Sequence, residues 1–196
     1  EHRGVMFEYD PATNGFINRV NFEGTNGATP GSVKLEPIPA PTAEGLPGSC
    51  TAATTAVINT TNASKWVAFT NTTGEAVAEI NANGNVLGTV SITYYVHNGP
   101  VRKDGLNNLY LDRNIAIRSQ FAPSSPVSVR LYIRKTEFEA LKNTAGSGIV
   151  GPGDLAVFRN SDNCSPFLNA PATQISSSAG TWAGDYVYTI NVNEFS

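Results

Sequence analysis

Hydrolysis of the Ser-His-Asp kind needs an imidazole that takes the proton of the nucleophile. The chain has two histidines, His2 and His97. His97 lies in Tyr94-Tyr95-Val96-His97-Asn98-Gly99-Pro100, where a strand-like run enters a turn, and a histidine so placed is ordinarily solvated. The spacings G-x-S-x-G and H-E-x-x-H are absent, as is the P-loop, and no G-x-G-x-x-G opens a predicted helix. Glycoside hydrolysis needs two carboxyl groups flanking the scissile bond. Asp10, Asp104, Asp154 and Asp162 fall at turns, and Glu137 and Glu139 fall on a predicted helix. Within residues 50–196 only Glu79 and Asp112 stand inside strand-like runs, and nothing in the spacing pairs them. The sequence therefore reads as non-enzymatic.

Binding chemistry is better represented. Asp104-Gly105-Leu106-Asn107-Asn108 and Asn160-Ser161-Asp162-Asn163 each bring oxygens close together. Asp104, Asn107 and Asp162 are thus the candidate calcium ligands, although neither stretch has the D-x-[DN]-x-[DN]-G order and both also read as Asn/Asp turns. Calcium is the only cofactor the sequence leaves open. Among the aromatics, Trp66 shares a strand face with Ala68 and is expected in the core. Trp182 is expected in a loop, Ala179-Gly180-Thr181-Trp182-Ala183-Gly184, with Tyr186 close behind. Those two are the candidate sugar-stacking platform, the plainer reading being that Trp182 plugs the end of a sandwich. Cys50 and Cys164 stand far apart and outside any C-x-x-C pair, so a zinc site is not indicated. They read as one disulfide, formed in an oxidising compartment, or as two buried thiols. On the chain-entropy model a bridge closing so long a loop contributes about 4–5 kcal/mol.

These residues need a scaffold, and 196 residues suffice for a core that does not depend on disulfides. Charged residues make up 15%, well under the roughly 25% of an ordinary domain. The net charge of −3 offers no basic field for phosphates, so nucleic acid is not an expected partner. No apolar run approaches the ~18 residues that a membrane-spanning helix needs. The opening at Glu1-His2-Arg3 has neither an initiator Met nor a signal peptide, which places the expected natural start upstream.

Periodicity predicts an all-β chain. Val5–Tyr9 and Phe16–Phe22 alternate around the turn-forming stretch from Asp10 to Gly15, giving a β-hairpin within residues 1–35. Residues 36–49 hold four prolines and two glycines and read as an extended linker. Residues 50–196 then show about eight strands: Thr54–Ile58, Lys65–Thr70, Ala76–Ile80, Thr89–His97, Asn108–Ile117, Val127–Ile133, Leu155–Phe158 and Tyr186–Val192. The expected architecture is an antiparallel β-sandwich, jelly-roll or immunoglobulin-like, with one short helix. Thr136-Glu137-Phe138-Glu139 reads as a capping box with Thr136 as N-cap, Phe138 and Leu141 share a face, and Gly146 and Gly148 end the helix.

Within this pattern, Gly4-Val5-Met6-Phe7-Glu8-Tyr9-Asp10, then Thr13-Asn14, Phe22 and Gly24-Thr25-Asn26-Gly27, resembles the GloVer-type tandem repeat of large secreted Bacteroidota proteins. One copy cannot close a repeat array, so it reads as the last repeat or a remnant. Trp66-Val67-Ala68-Phe69, Val77 to Val90, Leu109 to Ile115 and Val129 to Leu141 resemble a C-terminal β domain of the same proteins. That domain precedes the sorting domain of the type IX secretion system, which the chain, ending at Ser196, lacks. The resemblance implies export to the cell surface or medium, with the secretion machinery and other domains of the parent chain as partners. It brings no catalytic residues. The expected function is a structural or adhesive module of a secreted or cell-surface bacterial protein. The alternatives are a carbohydrate-binding module for extracellular polysaccharide and, more weakly, a self-assembling surface or filament subunit.

Overall fold

A computed structural model describes residues 4–10, 15–22, 40–41, 49–97, 99–104, 106–161, 163–164 and 172–195, with backbone alone for those before 49. The chain divides into two compact units, 1–38 and 39–196. In the first, β1 (Gly4–Asp10) and β2 (Gly15–Phe22) pair antiparallel, with a register irregularity between Met6 and Phe7.

The second unit runs β3 (Ala40–Pro41), β4 (Thr51–Ala52), β5 (Ala56–Ile58), β6 (Trp66–Thr70), β7 (Glu75–Asn81), β8 (Gly88–Val96), β9 (Arg102–Lys103), β10 (Leu109–Tyr110), β11 (Arg113–Ser119) and β12 (Val127–Ile133). Helix α1 (Lys135–Lys142) and a single 3-10 turn at Pro152–Asp154 follow. The chain ends with β13 (Val157–Arg159), β14 (Thr173–Ile175), β15 (Ser177–Trp182) and β16 (Asp185–Val192). A six-stranded sheet is ordered β15-β16-β12-β7-β3, with β6 also on β7. A four-stranded sheet is ordered β11-β8-β4, with β5 also on β8. All their pairings are antiparallel except β3 with β7, so Ala40–Pro41 of the proline-rich segment is built into the larger sheet.

One core lies between the two sheets. Ile58, Val90, Ile92 and Val96 meet Phe69, Ile80, Val127, Val129 and Ile190 there, all buried. The alternation of β12 explains its share. Val127 and Val129 join this core, Leu131 packs against it, and Ser128, Arg130 and Tyr132 point to the opposite face. This is the expected antiparallel sandwich.

Several elements differ from expectation. Asn108–Ile117 is split into β10 and β11, because the Arg113 amide turns back to the Leu111 carbonyl (2.8 Å) while the Asp112 carbonyl accepts from the His97 amide (2.9 Å). Residues 179–184 are not a loop. β15 runs through Trp182, and Ala183 and Gly184, at φ 48° and 91°, form a two-residue hairpin turn that starts β16. The helix starts two residues earlier than predicted, with Arg134 and not Thr136 as N-cap. Glu137, not Glu139, reaches back to the Arg134 amide (2.9 Å). The shift has two causes. β12 runs into the helix with only Arg134 between, and Arg113 of the opposite sheet holds the Glu137 carboxylate at 2.6 and 2.8 Å. The helix ends at Lys142, before Gly146 and Gly148, and Phe138 and Leu141 are buried as their spacing requires.

Cys50 and Cys164 are bonded to each other, which ties the start of the sandwich to a segment 114 positions later. Replacing both with Ser should lower the melting temperature by about 5–15 °C, from the 2–5 kcal/mol typical of a native bridge. An unchanged melt, followed by calorimetry, would show that the sheets alone hold these segments. Arg113 and Glu137 are 6% and 9% exposed at the side chain. Glu137→Ala should cost about 3–5 kcal/mol in urea unfolding, because it strands a buried guanidinium. The double change Arg113→Met with Glu137→Leu should cost clearly less than the single one.

Candidate functional site

The six-stranded sheet presents its second face away from the core. Opposing residues of antiparallel strands share a face, so the register aligns Arg130 of β12 with Glu79 of β7 and Thr189 of β16. Thr189 in turn lies opposite Ser178, Tyr132 opposite Val187, and Val187 opposite Gly180. Trp66 joins them from β6, its ring 3.9 Å below the guanidinium carbon of Arg130. It is therefore not a core residue. Phe69, not Trp66, enters the core from β6, and Trp66 stays partly exposed under its cation.

At the centre is a carboxylate. Glu79 is 8% exposed. Its Oε2 accepts from Tyr132 Oη at 2.6 Å and from Arg130 Nη1 at 3.1 Å. Burial, and after it the bond to Glu79, pushes the Tyr132 hydroxyl far above the ordinary phenol range. Tyr132 in turn meets Trp182 edge to face, with ring centroids 6.1 Å apart. Arg130, Tyr132, Ser178, Gly180, Trp182 and Thr189 enclose a shallow open cavity of about 170 Å³. Its floor is open because Gly180 has no side chain; a Cβ there would lie 3.4 Å from Val187 Cγ1. The result is a partly exposed indole beside a planar guanidinium and three hydroxyl-bearing side chains, with the ionic charges of Arg130 and Glu79 balanced.

Of the two predicted platform residues, only Trp182 lies here. Tyr186 pairs with Thr181 and Ile133 and so faces the other side of the sheet, where its ring packs on Phe138 at 4.9 Å. Sequence reading places Glu79 inside a strand-like run without a partner and gives Arg130 and Tyr132 no part in a candidate site. The available signal was their i, i+2 spacing in β12, which put Arg130 and Tyr132 on one face.

Of the calcium candidates, Asp104 and Asn107 share one turn, in which the Asp104 carboxylate is engaged by its own loop. Asp104 Oδ1 accepts from the amides of Leu106 and Asn108, both at 2.8 Å, and Oδ2 accepts from the Asn108 side chain at 3.0 Å. These bonds, that from the Asn108 side chain foremost, hold its pKa below the usual carboxylate value. Asn107 takes a left-handed conformation, φ 67°, in the same turn between β9 and β10. Asp104 thus organises a hairpin. Asp162 lies outside the described residues. Among the described residues no three His, Cys, Asp or Glu side chains gather as a metal-binding group, and no helix is long and apolar enough to cross a membrane.

A second cavity, also of about 170 Å³, is lined by His97, Tyr110, Asp112, Thr136 and Glu137. His97 is not simply solvated. Its Nδ1 is 3.3 Å from Tyr95 Oη and 3.8 Å from Asp112 Oδ2. Arg102 bridges the same two groups, with its Nη2 donating to Tyr95 Oη at 3.0 Å. Asp112 is therefore committed to Arg102, as Glu137 is to Arg113. Comparison with protein-family models, curated proteins and solved structures finds no match to this chain.

Tyr188 is buried with its hydroxyl donating to the Pro152 carbonyl at 2.7 Å. Burial first, then Tyr186 and Asp154, push its pKa up to about 12. A tyrosine whose folded pKa exceeds its unfolded value near 10 contributes stability in full below pH ~10. That contribution is lost as pH rises toward the folded value. Unfolding free energies from urea titrations should hold steady from pH 8 to 10 and then fall, by up to about 1.4 kcal/mol per pH unit for each of Tyr132 and Tyr188. Tyr132→Phe should flatten this slope, and an equal slope in the variant would show that Tyr132 ionises as freely folded as unfolded.

Proposed function

We propose that the chain is a non-catalytic adhesive module of a secreted or cell-surface bacterial protein, and that it holds neutral polysaccharide on the outer face of its six-stranded sheet. The observation that carries this reading is the groove itself. A partly exposed indole, Trp182, offers a stacking surface for the apolar face of a sugar ring. Arg130, Ser178 and Thr189 offer hydrogen-bonding groups beside it. The volume suits one ring of a polymer whose neighbours run on over the open sheet. Charge decides between sugar classes. Arg130 already faces Glu79, so the groove has no uncompensated cation to select acidic sugars.

The disulfide supports an oxidising compartment outside the cytoplasm. The resemblance to the repeat and C-terminal domain of type IX secretion cargo supports the same location, with this module mounted among other domains of its parent chain. A purely structural spacer is the second reading. It is favoured by the carboxylates of the second cavity, where Asp112 and Glu137 are both bound up with arginines and leave no free acid–base pair.

Affinity electrophoresis against a panel of neutral and acidic polysaccharides separates these. The expected result is retardation by a neutral polymer that Trp182→Ala weakens at least tenfold. Gly180→Val, which adds a side chain to the groove at an exposed strand position beside Val187, should weaken it as much with an unchanged circular dichroism spectrum. Binding to no polymer, or binding indifferent to both substitutions, would overturn the glycan reading and leave the spacer.

A further inference from the structure

A strand at the border of a sheet exposes a row of unpaired amides and carbonyls, and proteins blunt such borders with short strands, proline, charge or bulges. Most borders of the two large sheets carry one of these devices. β3 has two residues, one of them Pro41. β4 and β5 have two and three residues. β6 is closed at Thr70, whose carbonyl accepts from the Thr54 amide (2.8 Å) and whose amide donates to Thr54 Oγ1 (2.9 Å). β11 carries Arg113 and Arg118.

β15 has none of them. Ser177-Ser178-Ala179-Gly180-Thr181-Trp182 is six residues long, without charge or proline, and pairs with β16 in unbroken register. Ser177 to Thr181 are all exposed, and among the described residues they make no hydrogen bond beyond β16. Half the amides and carbonyls of that stretch therefore point outward from the sheet.

We infer that β15 is the interface of a homodimer, in which β15 of one copy pairs antiparallel with β15 of a second copy about a two-fold axis perpendicular to the sheet. The choice of a second copy rests on self-complementarity. A two-fold axis sets each residue against its own strand, so any charged side chain near the axis would meet its like, which is destabilising. This strand has no charge to repel. With outer faces aligned and Gly180 on the axis, Ala179 lies opposite Thr181 of the other copy and Ser178 opposite its Trp182. Small side chains fill every near-axis position, so the two backbones approach without a clash.

The pairing adds to the binding site. Ser178 and Gly180 line the groove, so the indole of the second copy would stand across from the first copy's Ser178 and continue the aromatic wall. Two shallow grooves become one trough along a sheet shared by two copies, and a polymer spanning both gains avidity. This last step rests on the glycan reading; the pairing itself does not.

Analytical ultracentrifugation of the whole chain from 1 µM to 1 mM tests it. The wild type should show a concentration-dependent monomer–dimer equilibrium. Ala179→Lys with Thr181→Lys, and separately Ala179→Glu with Thr181→Glu, place like charges opposite one another, at positions that border the groove but alternate in face with Gly180 and Trp182. Each should remain monomeric with the same circular dichroism and a dimer dissociation constant raised at least tenfold. An equimolar mixture of the two should dimerise again, which a misfolded variant could not do. A wild type monomeric throughout the range, variants that still dimerise, or a mixture that fails to associate would each overturn the inference. None of these outcomes depends on polysaccharide, so failure of the glycan reading would leave this test intact.

Discussion

The two sheets share a core but meet across an open end, and the contact that closes this end is the buried ion pair of Arg113 and Glu137. Arg113 belongs to the four-stranded sheet, and Glu137 to the helix that leaves the six-stranded one. One carboxylate thus does three things: it caps the helix, neutralises a guanidinium that has almost no exposure to water, and fixes where the helix lies against the opposite sheet. The arrangement is costly. Nε and Nη1 of Arg113 find no partner among the described residues, and a buried donor left unpaired costs about 1–3 kcal/mol. A hydrophobic pair would pack as well with less penalty. What the ions supply instead is position. Apolar contacts tolerate sliding, whereas a carboxylate held at 2.6 Å, and bound to a helix terminus as well, fixes the helix in one place.

The same trade recurs on the outer face. Glu79 stands in the middle of β7, among the most buried residues of the sheet, where a strand would normally put an apolar or small polar side chain. Its bonds to Tyr132 and Arg130 link neighbouring strands, and Arg130 in turn lies flat on Trp66. Four side chains from three strands are thereby locked, each by its neighbour. A floor of this kind does not need to reorganise when something binds, and binding then loses less to side-chain ordering. Trp182, at the margin, is partly exposed beside the exposed Ser178 and Gly180.

How much of this could be read from the chain depends on where specificity resides. Val127–Ile133 and Thr89–His97 alternate β-branched and aromatic residues with polar ones, so their strand character and inner faces follow from local chemistry. The two cysteines could be joined because few alternatives existed. β15 was missed for the opposite reason. Ser, Ala and Gly have no strong preference for a strand, and the segment is ordered by β16 and by a turn in which a non-glycine residue, Ala183, adopts positive φ. The helix start differs from expectation because Thr136 to Glu139 satisfies the capping-box rule, whereas Arg134 to Glu137 has the acidic N3 residue but an N-cap that local rules do not favour. The choice between them was made by Arg113, which lies 24 residues away from Glu137. Trp66 was assigned to the wrong face because an alternating run shows two faces without saying which is inner. Phe69 and Val67 settle it by joining the core.

The strand least specified by its own residues is the one on which groove and border coincide. This follows from the physics of a sheet edge. A central strand must carry side chains that pack on both sides and pair with two neighbours, which leaves little freedom for anything else. β15 pairs with one neighbour and buries almost nothing, so its residues are free to be small. Smallness keeps the groove floor open at Gly180 and lets another backbone approach from outside. It also leaves β15 with less intrinsic stability than any central strand, since glycine in a strand forfeits side-chain packing and costs backbone entropy. Whatever settles against this edge therefore supplies order that the strand lacks alone, and binding at the face and pairing at the border draw on the same deficit. On the proposed function and pairing, either event would hold β15 in place and so lower the cost of the other.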